Sequence, residues 1–343
     1  MVCSKSRRAA MAMRTAAFIF AVILVLSGAG ASESAPKIIK MAHVVSETHP
    51  VHAAMIDYIK NAIEEGTKGS IIVEIYPNGQ LGGDRQAIEA VQLGTIQMTT
   101  TAAAVLSGFE PQFALLDFPF IFKDKPSAYR ALDGELGRRL NALLPEKHGM
   151  RNLIIPENGL RHITNNRGPI RTPADLKGLK IRTMENPVHQ AMFKMLGANP
   201  TPISYGELFT ALQQGTVDAQ ETPIPLIYTS KFYEVQKYCS LTGHVFASST
   251  MLINEDFWQS LTQEERDVID KAMAVYLENE RRINSEQEEI LRDELVKSGM
   301  EVNDLTAEEK QAFMDATSTL LDQMSKELGL DPELVELVKR AND

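Results

Sequence analysis

Cysteine is almost missing from this chain of 343 residues: there are two, and one of them, Cys3, sits at the extreme N-terminus. A lone Cys239 in the body of the chain excludes a disulfide framework and any cysteine-rich metal site. Basic residues are also scarce, with 35 Lys and Arg against 45 Asp and Glu and a formal charge of −10. Setting aside Lys5, Arg7, Arg8 and Arg14 of the leader leaves 31 against 45, or −14. An acidic surface argues against nucleic acid and anionic membranes as partners, but not against a local basic pocket. The apolar run Ala16–Leu26 falls short of the roughly 20 residues that span a bilayer. No Gly-x-Ser-x-Gly elbow, no His-Glu-x-x-His pair and no P-loop occur, which weakens the case for an exported hydrolase. His43, His49 and His52 lack the spacing of a helical His-x-x-x-His pair and have no evident fourth ligand. No metal, no cofactor and no catalytic residue is expected.

What is present begins with an export signal. Arg7, Arg8 and Arg14 form a basic region, the apolar run follows, and Ala29-Gly30-Ala31 reads as a cleavage site. Residues 1–31 are therefore expected to leave as a signal peptide, cleaved near Ala31, and the mature protein to work in the periplasm. The remaining chain is long enough to bury a core without disulfides, with two domains as the prior expectation.

Strand and helix signals then alternate. Lys37–Ala42 reads as a strand, Val51–Glu65 as an amphipathic helix and Ile71–Tyr76 as a second strand. A helix from Gly82-Gly83-Asp84 to Gly94 follows, with strands at Thr95–Thr99 and Arg151–Ile155. A second unit has a helix start at Thr172-Pro173-Ala174-Asp175, a strand over 179–183, a helix over 205–214 and a strand at Thr216–Gln220. This alternation predicts an α/β layer fold. Ala90–Gln97 and Ala211–Asp218 echo each other as helix end, Gly and strand, which points to two lobes of similar construction. From the capping box Thr262-Gln263-Glu264-Glu265 to Gly299 no Gly or Pro intervenes. That predicts a helix of roughly 50 Å running along both lobes, the alternative being two helices broken near Asn284-Ser285.

The candidate site centres on Arg182, which a short strand delivers at its C-terminal tip. Its guanidinium is a fixed fork that matches a carboxylate; Arg161 stands 21 residues earlier. Both point to capture of a small organic anion in an interlobe cleft. The alternative for Arg182 is an internal ion pair with Glu185 or Glu221, and for Arg161 one with nearby Glu157. Asn186 follows Arg182 and is read as rimming the pocket. Glu47 and His49 lie in the first strand-to-helix loop, the side that faces a ligand in α/β lobes, with helix capping by Thr48 as the alternative. Arg85 is read chiefly as an interlobe pair and secondarily as a ligand contact.

Five segments together resemble one family: Tyr76–Arg85, Leu116–Phe120, Gly178–Arg182, Ala211–Glu221 and Lys231–Val235. In their order and spacing the chain resembles the DctP-type solute-binding proteins of tripartite ATP-independent periplasmic (TRAP) transporters over nearly all of the mature sequence. The resemblance implies an α/β, two-lobed periplasmic-binding-protein fold (type II-like), its lobes joined by crossing strands and a long spine helix. Lobe I is expected at 36–158 plus 246–280 and lobe II at 159–245 plus 281–343, with the helix at about 263–298 spanning both. It further implies a monomeric carrier of a small carboxylate, delivering it to one small and one large membrane subunit. On the residues, it implies that Arg182 is the carboxylate clamp, Arg161 a second Arg and Tyr205 an aromatic lining the cleft. Where the family often has Gln-Glu-Asn-Pro this chain has Gln220-Glu221-Thr222-Pro223, so Glu221 and Thr222 join the ligand-binding set without fixing the ligand. The polar set tilts toward a sugar acid such as a uronate or aldonate; a C4-dicarboxylate, a 2-oxo acid, a phospho-sugar alcohol or a ligand-sensing role are the alternatives.

Overall fold

A computed structural model describes residues 35–343; the expected signal peptide and its cleavage at Ala31 lie outside the described residues. Lys37–Asp343 folds as one unit. Its strands are β1 (Lys37–Ala42), β2 (Ile71–Tyr76), β3 (Met98–Ala102), β4 (Met150–Asn152), β5 (Glu157–Asn165), β6 (Lys180–Thr183), β7 (Asn199–Pro202), β8 (Ala219–Pro223), β9 (Tyr238–Leu241), β10 (Phe246–Asn254) and β11 (Glu301–Asp304). Helix α1 starts at Pro50–Met55, passes through a π turn at Ile56–Lys60 and ends with Asn61–Gly66; α2 is Asp84–Gln92, α3 Pro187–Met195, α4 Tyr205–Gln213 and α5 Gln263–Lys297.

The strands form one sheet in the order β2-β1-β3-β10-β5-β8-β6-β7, with β4 beside β10, β9 beside β5 and β11 beside β9. β1 pairs in parallel with β2 and β3, and β6 in parallel with β7 and β8. Between these two parallel groups run β10 and β5, antiparallel to each other and to their neighbours. The two nine-residue strands therefore belong to both halves. Each parallel half needs helical crossovers, which α1 and α2 supply in the first and α3 and α4 in the second.

Two expected strands begin late, for a common reason. After α2, the Thr95 and Ile96 N–H groups both return to the Ala90 carbonyl; after α4, the Thr216 N–H returns to Ala211. These donors cannot join a ladder, so β3 starts at Met98 and not Thr95, and β8 at Ala219 and not Thr216. Gly94 and Gly215 sit in these turns with φ of 71° and 69°, the left-handed conformation glycine favours. The echo between the two units is therefore structural. At Thr172, the expected helix is a single 3-10 turn with its capping box formed.

Helix α5 is continuous over 35 residues and opens on the capping box of Thr262 and Glu265; no break falls at Asn284-Ser285. It packs on α1 early in its course and on the Ile224–Thr229 helix and β11 later. Its inner stripe explains how. Ile269, Ala272, Met273 and Tyr276 enter one apolar core with α1 and β1, while Leu291 and Leu295 enter another with α4 and Cys239. Between them, at the same helical spacing, the stripe carries Glu280 and Asn284, both buried. A buried polar stretch between two apolar anchors marks the place where the helix passes a cleft.

Candidate functional site

The cleft lies where the two sheet halves meet. It holds about 730 Å³ of atom-free space, part of it continuous with solvent. Its wall draws on the first loop (His43, His49), the start of α2 (Asp84), β3 (Thr100, Thr101), β5 (Glu157, Asn158, Arg161), β6 (Arg182), α4 (Tyr205), β8 (Thr222) and α5 (Tyr276, Glu280, Asn284).

Arg182 is 2 % exposed. Only its Nε is engaged by the protein among the described hydrogen bonds, donating to the Ile203 carbonyl at 2.8 Å. That bond orients the fork and leaves both terminal nitrogens for a carboxylate. Burial lowers the guanidinium to about 10, opposed by the negative charge of Glu221, so it stays protonated at neutral pH. Neither sequence-based ion pair forms: Glu185 is taken by Arg85 at 2.5 Å, and Glu221 by Arg161.

Arg161 is used differently. Its Nε and one terminal nitrogen grip the Glu221 carboxylate, the latter at 2.9 Å, and the same nitrogen donates to the Glu221 carbonyl at 2.5 Å. In the β5–β8 register Arg161 faces Pro223 and Ile163 faces Glu221, so the pair is a diagonal cross-strand contact. The partner is thus Glu221 and not Glu157. Glu157 instead binds Lys125 at 2.9 Å and the Tyr129 hydroxyl. Burial disfavours the Glu221 charge, but Arg161 and His189 hold its carboxyl well below the usual range. His244 Nε2 lies 3.3 Å and His189 Nδ1 3.5 Å from it. Arg161 therefore lines the cleft with its charge already balanced. Glu221 lies behind the wall, not on it.

The other expected residues divide. Tyr205 and Thr222 line the cleft; the Tyr205 hydroxyl bonds Ser230 Oγ, and its ring meets Phe232 edge-on at 6.2 Å. His49 also lines it, but its Nδ1 accepts the Val51 N–H at 3.2 Å and caps α1. The cap is therefore His49 and not Thr48, whose hydroxyl bonds Ser46. Glu47 is exposed and outside the lining. Asn186 does not rim the cleft: its amide donates to the Ala104 carbonyl, Ser107 Oγ and Asp117 Oδ2 at 3.0–3.1 Å, and its oxygen caps α3 through the His189 N–H. It ties the two halves together, as Arg85 does with Glu185.

Asp84, Glu280 and Asn284 are among the wall residues that escaped the sequence reading. Asp84 is half-buried beside Arg182; desolvation raises its carboxyl to about 6, against the pull of that guanidinium. Glu280 is fully buried, and burial with the nearby Glu157 charge pushes its carboxyl well above the usual range. Asn284 donates to the Glu157 carbonyl at 3.1 Å and to Glu280. The signal for the last two was available: they occupy inner-stripe positions of α5 where helical periodicity calls for apolar residues.

Residues 41–328 match the family described as bacterial extracellular solute-binding protein, family 7 (DctP). The chain belongs to the DctP family. Its members are the solute-binding proteins of TRAP transporters, a transport family and not one of enzymes. The 2,3-diketo-L-gulonate-binding periplasmic protein of Escherichia coli is 34% identical over 314 residues, covering 91% of this chain and 94% of that one. Among solved DctP structures, the sugar acid binding protein of Advenella mimigardefordensis in complex with galactonate superposes with a TM-score of 0.85 at 32% identity, covering 89% of this chain and 99% of its own. A TRAP periplasmic solute-binding protein of Sulfurospirillum deleyianum with bound succinate gives a TM-score of 0.84 at 32% identity, covering 90% and 99%. The fold is accordingly the two-lobed DctP fold. Among the described residues no helix is long and apolar enough to cross a membrane.

Proposed function

We propose that this protein captures a small organic acid in its cleft through Arg182 and hands it to the small and large membrane subunits of a TRAP transporter. The observation that carries this reading is the state of Arg182: a buried guanidinium, aimed by one backbone carbonyl, with both terminal nitrogens unengaged in a cleft wall. A bidentate pair formed there is desolvated, and removing one partner of such a pair costs about 3–5 kcal/mol. The relatives named above bind acids of differing length, each with a carboxylate in common. In our reading the lobes comprise 36–158 plus 246–280 and 159–245 plus 281–343, and the leader is removed near Ala31 to give a periplasmic monomer. The acid meets Arg182 in an open form, and hinge closure then completes the site.

A thermal-shift screen over an acid library tests this, because a ligand at 100 times its Kd adds about 2.7 kcal/mol of stability. The acid recovered after incubation should be chemically unchanged, and Arg182→Ala should abolish the shift. A stabilising acid whose effect survives Arg182→Ala defeats the clamp. A converted acid defeats the transport reading.

A further inference from the structure

The cleft contains one guanidinium, that of Arg182, held in no salt bridge among the described residues, with Asp84 beside it and, elsewhere, a wall of neutral or acidic acceptors. Of the wall residues, only Arg161 and Arg182 carry a fixed positive charge. Arg161 is balanced by Glu221. Lys125, whose charge reaches Glu280, is held between Glu157 at 2.9 Å and Glu288 at 2.8 Å. Arg182 shares one side hollow of the cleft with Asp84, Met184 and Tyr205, whereas Glu157, Asn158 and Asn284 line another beside Gly159 and Glu288. The two hollows share no residue, so the cleft has two ends of different chemistry.

The end formed by α5 and β5 offers Glu280, Asn284, Asn158 and Glu157. Glu280 accepts the Glu157 N–H at 3.2 Å and the Asn284 amide. Elsewhere on the wall two buried polar atoms, His43 Nδ1 and Asp84 Oδ1, lack any protein hydrogen-bond partner. The other His43 ring nitrogen, Nε2, shares a hydrogen bond with His52 Nδ1 at 3.0 Å, and burial lowers its pKa to about 4, so its ring is neutral at neutral pH. Groups of this kind suit hydroxyls, which both donate and accept. They do not suit a second carboxylate, which would be desolvated with no cation to pair it and with acidic neighbours.

We infer that the α5 end of the cleft, built by Glu280 and Asn284 with Asn158, is a hydroxyl-reading subsite that selects polyhydroxylated monocarboxylates over dicarboxylates. This rests on the clamp reading of Arg182, and it names the acid class that the clamp alone leaves open. Glu280 and Asn284 are the specificity residues: one helix turn apart, they are the only buried polar pair on the inner stripe between the apolar anchors at Tyr276 and Leu291.

Titration calorimetry at pH 7.5 on the mature chain, with D-galactonate, D-galacturonate, succinate and butyrate as probes, tests the assignment. The polyhydroxy acids should bind at least about ten-fold tighter than succinate. Glu280→Leu should weaken galactonate about ten-fold or more while leaving butyrate, which has no hydroxyls, within about two-fold. Glu280→Gln, a neutral isostere, should keep galactonate within about three-fold. Succinate binding as well as or better than galactonate overturns the subsite, as does absence of binding by both polyhydroxy acids. Equal weakening of every acid by Glu280→Leu makes Glu280 structural and also overturns it. The wild-type comparison needs no variant to fold. The two readings fail separately: Arg182→Ala should abolish binding of whichever acids bind, and acid binding that survives it sinks the clamp, whichever acid is preferred.

Discussion

Asp84→Asn probes the electrostatics of the cleft with one atom changed. Burial raises the Asp84 carboxyl from 3.8 to about 6 in the folded protein, so an ionised Asp84 is a liability there. A shift of that size corresponds to about 3 kcal/mol, at 1.36 kcal/mol per pH unit. For an acid with a raised folded pKa, the folded state binds more protons than the unfolded chain between the two values. Stability is therefore undiminished below pH 3.8, falls as pH rises through 6, and carries the full penalty above that. Asn removes the penalty while keeping an acceptor for the Ala102 N–H. With an unfolding entropy of about 2.1 cal/mol/K per residue over roughly 300 residues, the gain at pH 8 amounts to about 4–5 °C in Tm. It should shrink to about 1 °C or less by pH 4. Ligand binding carries the same signature. A carboxylate brought to Arg182 raises the Asp84 pKa further, so binding takes up a proton, and affinity should be highest below pH 6 and decline above it. His43 and His49, lowered by burial to about 4 and about 3, do not titrate in that window. Differential scanning fluorimetry from pH 4 to 8, with calorimetry in buffers of different ionisation enthalpy, measures both effects. An equal Tm for the two proteins at pH 8, a difference undiminished at pH 4, or an affinity slope unchanged in Asp84→Asn would refute the reasoning.

Arg182→Ala should weaken acid binding by two or more decades, since about 1.4 kcal/mol is tenfold; Arg182→Lys should not restore it, because an ammonium lacks the planar fork. Calorimetry on both variants decides this. Arg161→Ala strands the buried Glu221 charge and should cost about 3–5 kcal/mol, whereas replacing both partners by apolar residues of similar volume should come near neutrality; urea melts of the single and double variants distinguish the cases. Asn186→Ala removes three buried hydrogen bonds that tie the halves and leaves Asp117 less satisfied, a loss of about 1–3 kcal/mol that should also appear as faster hydrogen exchange in 104–117. Gly159→Ala should destabilise the chain, since at φ 116° an added Cβ would lie 2.9 Å from Pro223 Cβ; a variant with unchanged Tm would contradict that.

The element order and the spine helix were legible because they rest on local signals: caps, glycine stops, and a run without Gly or Pro. Arg182 was legible as the tip of an alternating strand. What stayed hidden depends on contacts far apart in sequence. Arg161 and Glu221 are 60 residues apart, and only the β5–β8 register makes them partners; sequence proximity favoured Glu157 instead. Asn186 looked like a rim residue because it follows Arg182, yet its side chain turns toward residues 104–117 and its position opens α3. Asp84 read as a helix-start residue, which it is, but its place beside Arg182 depends on a strand about a hundred positions later. The late starts of β3 and β8 are a local miss, since a helix-ending glycine turn occupies the next N–H groups.

Among the described residues β5, β10 and α5 cross between the halves, and the last helix, Pro332–Asn342, returns from the second half to pack on 125–142 of the first. Two strands hydrogen-bonded side by side resist shear along their length, and a rod fastened at both ends resists independent twisting. In the closure we propose, what remains is a bend about one line, so that the shell would open and shut as a book does, along a single path. A solute touching only one cover leaves that path free; one that touches both covers, through Arg182 and through the α5 end, biases it toward shut.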